Sequence, residues 1–366
     1  MKSSLKSISF KEKLNKFFTF KQKISVDEKI FFAKNLVVMI KAGVPISQAV
    51  GVLAQQTKNK RFKSILLKIK ENVESGLLFS QALASYPEIF SEIFINMVEA
   101  GEKSGQLEKV LEEIANQMKK NRTFSSKLKR ALTYPIFVIC VMILIGIFSL
   151  IFIIPKITSI FSEMEIELPL PTKILIATSN FLTRRGYILL IFIALIIYCF
   201  HRIMKTEKGK YFFHSLFLKL PIVGILLKKI NLIKFSRNFT SLLASGIPLV
   251  QTFEITARVL NNVLYQKVVL SLAKETARGV TISQVLKNYS DLFPLVFTQM
   301  IEIGEKTGTL ENILDDITHF YEEDIDEMLS NFSSIVEPLL IVIIGIGVAI
   351  MALAIITPMY TLAGKI

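Results

Sequence analysis

Cysteine occurs twice in this chain and histidine three times, and that scarcity excludes much chemistry at once. Cys140 and Cys199 both sit in apolar runs. They supply no disulfide framework, no Cys-x-x-Cys pair and no reading of the redox compartment. His201, His214 and His319 are too scattered for a metal site. No G-x-x-x-x-G-K-[ST] phosphate loop is present, and the glycines of "GEKSG" have neither its spacing nor its strand context. No Ser/His/Asp constellation and no H-E-x-x-H appears. The expectation is a chain with no catalytic residue, no cofactor and no metal, and not an enzyme.

Charge is the other thing missing. Residues 131–155 and 338–364 carry none, and both stretches exceed the ~18–20 residues that a spanning helix needs. A third uncharged run, 186–200, is shorter, but Arg184, Arg185 and Arg202 flank it and can snorkel. Three transmembrane helices are expected. No apolar run precedes residue 131, so no signal peptide is expected and the first hundred-odd residues stay in the cytosol. Lys119, Lys120, Arg122, Lys127, Lys129 and Arg130 crowd the entry to the first span; His201, Arg202, Lys205, Lys208 and Lys210 follow the second. The positive-inside bias then places the N-terminus inside and the C-terminus outside, with Arg184 and Arg185 arguing the other way. The first and third spans hold no Asp, Glu, Lys or Arg, which counts against the runner-up class, a repeat-built transporter or channel component.

What the chain does have is a duplication. "AGEKSGQLEKVLEEI" begins at Ala100 and "IGEKTGTLENILDDI" at Ile303, an offset of 203. The same offset pairs Gly43 with Gly246, Pro45 with Pro248, Gly76 with Gly279, Phe90 with Phe293, Pro135 with Pro338 and Pro155 with Pro358, without a gap. Each copy is a polar-faced helical stretch followed by one span. Both copies need their soluble part on one side, and the unduplicated second span returns the chain there.

Within a copy the periodicity is helical. Gly43 suits a left-handed cap and Pro45 the start of the next helix. A break at Thr57–Asn59 precedes a run ended by Gly76, a short helix follows over Ser80–Ser85, and another over Ser91–Ala100. At the repeated corner, Gly101 and Gly304 are expected to stop a helix at positive φ. Ser104 or Thr307, with Gly105 or Gly308, then starts the next one, with a buried stripe beginning at Leu107 or Leu310. Glu102 and Glu305, with Glu99 and Glu302 nearby, are the candidate partner contacts; the plainer reading is solvated charge. The acidic run Asp315, Asp316, Glu322, Glu323, Asp324, Asp326, Glu327 reads as a solvated helix face rather than a cation site.

Residues 1–131 hold twenty-four basic and twelve acidic side chains, whereas residues 202–337 hold fifteen of each. The basic excess suits anionic lipid or an acidic partner. No recognised motif supports specific nucleic acid binding.

"AGVPIS" and "SGIPLV", "AGEKSGQL" and "IGEKTGTL", "TYP", "LPLPT" and "LKLPIVGILLKK", in this order from Asp27 on, resemble the type II secretion system F family. Its members are inner-membrane platform proteins of type IV pilus, type II secretion and competence-pilus machines. One departure is Glu337 before Pro338, where the first copy has Tyr134. The resemblance implies a non-enzymatic platform in the bacterial cytoplasmic membrane. Its partners would be a cytosolic hexameric assembly ATPase, pilin or pseudopilin subunits, other inner-membrane assembly proteins and further copies of itself. The expected fold is an all-α membrane protein with two homologous cytoplasmic bundles of five to six helices and three transmembrane helices. The expected order is a basic tail (1–26), bundle 1 (27–131), span 1 (132–154), an extracytoplasmic loop (155–185), span 2 (186–202) and a connector (203–229). Bundle 2 (230–337), span 3 (338–358) and a short tail (359–366) complete it.

Overall fold

Every regular element among the described residues is a helix, as the lack of period-two alternation predicts. The computed structural model describes residues 23–156 and 170–363. Most of the basic tail, part of the expected 155–185 loop and residues 364–366 lie outside them. Repeat 1 forms α1 (Val26–Lys41), α2 (Ile46–Gln56), α3 (Lys60–Glu74), α4 (Phe79–Ala84), α5 (Glu92–Ser104) and α6 (Leu107–Phe148), followed by a π-helical turn at Ser149–Ile153. Next come α7 (Leu170–Ile203) and α8 (Glu207–Lys219). Repeat 2 forms α9 (Val223–Ala244), α10 (Leu249–Val259), α11 (Val263–Thr276), α12 (Ile282–Lys287), α13 (Leu295–Thr307) and α14 (Leu310–Ala363).

The breaks follow from local chemistry. Ser25 opens α1 with a capping box: its hydroxyl accepts from the Glu28 N–H at 3.1 Å, and the Glu28 carboxylate accepts from the Ser25 N–H at 2.7 Å. Gly43 and Gly246 both sit at φ 79°, a region costly for residues with a Cβ, and turn the chain into α2 and α10. Asn59 and Asn262 cap α3 and α11 through their side-chain oxygens. Between α8 and α9, Ile222 is held at φ 62°, the one non-glycine at positive φ among the described residues, in a γ-turn closed by Val223 N–H donating to the Pro221 carbonyl at 2.6 Å.

The chain divides into two compact units. The first runs up to Ser125 and includes His214–Glu323, so it holds both helical bundles. Aromatic rings fill each bundle: Phe32, Phe62 and Phe90 in repeat 1, and Phe235, Phe239, Phe253, Phe293 and Phe297 in repeat 2. Each fully buried ring contributes roughly 1.5–3 kcal/mol of transfer free energy. Tyr265, buried with them, donates its hydroxyl to the Leu292 carbonyl at 2.8 Å, and burial pushes its pKa up.

The two bundles share a seam. Leu242, Ile247 and Ile255 of repeat 2 join the core of repeat 1. Around them, the Ser241 hydroxyl donates to Glu113 at 2.8 Å, the Gln117 amide to Asn238 at 3.2 Å, and Arg258 pairs with Glu92 at 2.5 Å. Arg237 is the buried strut. Its guanidinium donates to the Asn121 side chain at 2.5 Å, lies against the Glu322 carboxylate, and sits over the Phe124 ring at 5.6 Å. Burial pushes its pKa down to about 10, so it stays charged at neutral pH.

The second unit comprises Ser126–Phe213 and the chain from Asp324 on. Its helices present large apolar side chains outward, among them Phe137, Leu144, Leu190, Ile191 and Ile341. Two helical stretches, Leu107–Lys156 and Thr172–Ile203, are long and apolar enough to cross a membrane, and Leu340–Ile350 is a shorter apolar stretch of α14. Pro135 lies inside α6 without ending it; a spanning helix tolerates proline where neighbouring groups satisfy the freed carbonyl. α7 departs from helical geometry at Arg185 (φ −129°, ψ 17°), just before Gly186. The Ser179 hydroxyl donates to the Leu150 carbonyl at 2.5 Å, tying α7 to the π-helical turn.

Candidate functional site

The repeated corner joins α5 to α6 and α13 to α14, and its five-residue core has one structural task per residue. The first glycine is not where the helix stops. α5 continues through Gly101 to Ser104, and α13 continues through Gly304 to Thr307, so the expected positive φ at those two glycines is corrected. The left-handed residues are Gly105 (φ 69°) and Gly308 (φ 72°). Gly101 is required for a different reason. A Cβ there would stand 3.0 Å from the Val110 Cβ and 3.1 Å from the Leu107 Cα. At Gly304 it would stand 3.1 Å from the Leu310 Cα. The two helices meet backbone to backbone at this point.

Glu102 and Glu305 turn inward. The Glu102 carboxylate accepts from the Phe79 N–H at 2.6 Å and from the Ser80 N–H at 2.9 Å. Those amides open α4, whose own N-cap residue, Leu78, makes no side-chain capping bond. Glu305 repeats the arrangement on α12, accepting from the Ile282 and Ser283 N–H groups. A carboxylate on two orphan amides satisfies them and complements the helix dipole. The corner thereby anchors a six-residue helix too short to be stable alone.

Lys103 pairs with Glu99 at 2.6 Å and Lys306 with Glu302 at 2.7 Å. Glu302 also receives Lys287 at 2.9 Å, and the two lysines, Lys306 foremost, hold its pKa down to about 2. The fourth residue does not start the next helix. The Ser104 hydroxyl donates to the Gly101 carbonyl at 3.4 Å, and Thr307 donates to the Ile303 carbonyl at 2.8 Å. Gln106 N–H closes the corner on the Gly101 carbonyl at 2.9 Å, and Thr309 N–H does so on Gly304 at 3.0 Å. The stripe behind it is apolar: Val110, Leu111 and Ile114 are buried in repeat 1, and Leu314 and Ile317 in repeat 2.

The candidate carboxylates thus fall into two kinds. Glu102 and Glu305 bind the chain's own backbone, while Glu99 and Glu302 stay at the surface in lysine pairs. Glu99 and Lys103 also line a groove at the seam, with Ala100, Gly246, Pro248 and Gln251. Sequence reading did not pick out Arg237 or Asn121, and it placed Glu322 only in an acidic run expected to be a solvated helix face, whereas Glu322 turns inward to pair with Arg237. A basic residue amid the apolar pattern of α9 was the available signal. Among the described residues, no three His, Cys, Asp or Glu side chains gather as a metal site.

These features define the class: an all-helical protein, duplicated, with apolar helices of membrane-crossing length. The model of the family "Type II secretion system (T2SS), protein F" matches residues 32–155 and again 235–358, the same offset of 203. The chain belongs to that family. It is 31% identical over 335 residues to the type IV pilus assembly protein PilC of Thermus thermophilus, covering 92% of this chain and 82% of that protein. It is 30% identical over 337 residues to PilC of Myxococcus xanthus, covering 92% and 81%. It is 27% identical over 356 residues to the type II secretion system protein F of Aeromonas hydrophila, covering 96% and 90%.

Proposed function

We propose that this chain is the inner-membrane platform of a type IV pilus or type II secretion-like machine. The platform couples a cytosolic assembly ATPase to the extraction and polymerisation of pilin-like subunits, with no catalysis of its own. The observation that carries the reading is the double family match: it takes in both bundles, and the relatives that extend over nine-tenths of the chain are named for pilus assembly or type II secretion.

The bundles face the cytosol, three spans cross the membrane, and the C-terminus lies outside. Both bundles share one compact unit, which favours placing them on the same side, and an even number of crossings between them does so. The surface carboxylates Glu99 and Glu302 are the corner's candidates for contact with a partner. The test is a deletion in the host, scored for surface fibres and for secreted protein. Loss of either, restored by the wild-type gene, is expected. Normal fibres and normal secretion in the deletion would overturn the reading.

A further inference from the structure

The seam between the bundles is not two-fold. Repeat 1 gives it α5 and α6; repeat 2 gives it α9 and α10. The offset of 203 therefore names two counterpart faces that the seam leaves open: α13 with the Asp316–Phe320 side of the start of α14 on repeat 2 (its Asp315 and Glu322 side meets Lys120 and Arg237), and α1 with α2 on repeat 1. Burial changes accordingly. Ile93 is 7% exposed and its counterpart Val296 54%; Gln117 is 6% exposed and Phe320 51%; Ser241 is 2% exposed and Val38 64%.

The side chains change in the opposite sense from what solvent would demand. Where the seam has Gln117 and Ser241 buried and Glu92 at its half-exposed rim, the open faces have Phe320, Val38 and Leu295. Ala100 is likewise replaced by Ile303, which is 54% exposed. A face left to water would be more polar than its buried twin; these are more apolar. The charge complements as well. Lys34 stands in the place of Arg237 on the repeat 1 face, while Asp316 and Glu323 are exposed on α14.

We infer that these two faces bind each other between copies of this chain, repeat 2 of one copy receiving α1 and α2 of the next in the geometry of the internal seam. Such a contact is heterologous between bundles: it closes as a ring, the smallest being two copies whose four bundles alternate, or runs on as an array, and in neither does α1 of one copy meet α1 of another. The inference stands on the register and the burial, independently of the functional reading above.

The internal Glu113–Ser241 bond maps onto Asp316 of one copy and Val38 of the next. The test uses the full-length protein in nanodiscs, with Cys140 and Cys199 replaced by serine. Mixed single variants Asp316→Cys and Val38→Cys should give a disulfide-linked dimer on mild oxidation, and the double variant a doubly linked dimer or a ladder of higher species. Val296→Asp, at a site already exposed, should weaken self-association by about tenfold with the thermal midpoint unchanged. Efficient Val38→Cys self-dimers, which require a two-fold axis that brings α1 of one copy against α1 of another, would overturn the inference. So would strictly monomeric mass with no trans cross-link. Neither result depends on whether the protein supports fibres or secretion.

Discussion

At the scale of single residues, Glu102 and Gly101 carry the clearest consequences. Glu102→Ala leaves the Phe79 and Ser80 amides without their partner, and losing a cap of this kind costs about 1–2 kcal/mol. Hydrogen exchange across α4 should accelerate in that variant while α2 and α3 keep their protection. Gly101→Ala sets two effects against each other. Alanine is the better helix former by about 1 kcal/mol, but its Cβ meets Val110 and Leu107 too closely. Overpacking of about 1–3 kcal/mol should win, so the variant should be less stable by denaturant titration. The sequence showed that a glycine was needed here but not which need it met. Two glycines four apart can each end a helix, and only the approach of α6 assigns close contact to one and positive φ to the other. Glu302 has its folded pKa, about 2, below its ordinary value of 4.5, so its contribution is complete above pH 4.5 and fades as pH falls toward 2. Glu302→Gln should flatten the acid limb of the stability curve in that window.

At the scale of elements, the punctuation was legible and the long-range ties were not. Gly43, Pro45, Asn59 and Gly76 mark the ends of α1 to α3 because caps and breakers act within a few residues of chain. The continuation of the last helix of each bundle toward the apolar run was also visible, because nothing after Gly105 or Gly308 breaks it until the prolines. The buried strut at Arg237 was hidden, because its partners Asn121 and Glu322 come from two other helices and no local spacing announces them. Arg237→Ala leaves the Glu322 carboxylate without its counter-charge and removes the bond to Asn121. Breaking a buried pair in this way costs about 3–5 kcal/mol. The thermal midpoint of the full chain should drop markedly, with increased exchange in α9. Arg237→Lys should recover little, because an ammonium cannot reach carboxylate, amide and ring face together.

At the scale of the whole molecule, the duplication was readable to the residue, and the family match falls in the same register. The sharing of a core by the two bundles was not readable, because Leu242, Ile247 and Ile255 look like interior residues of their own repeat. A reporter fused after Ile366 should score as extracytoplasmic and one placed in the 203–229 connector as cytosolic; the opposite pair would refute the proposed topology. The central claim is that the chain works as a platform between a motor and its fibre subunits. Its most direct test is cross-linked co-purification of the full-length protein from the native membranes of its host, with partners identified by mass spectrometry. The account predicts a pilin-like subunit and an ATPase carrying its own phosphate loop, with no hydrolysis by the chain once the ATPase is removed. A chain recovered with neither partner, or one that itself hydrolyses nucleotide after rigorous purification, would contradict it.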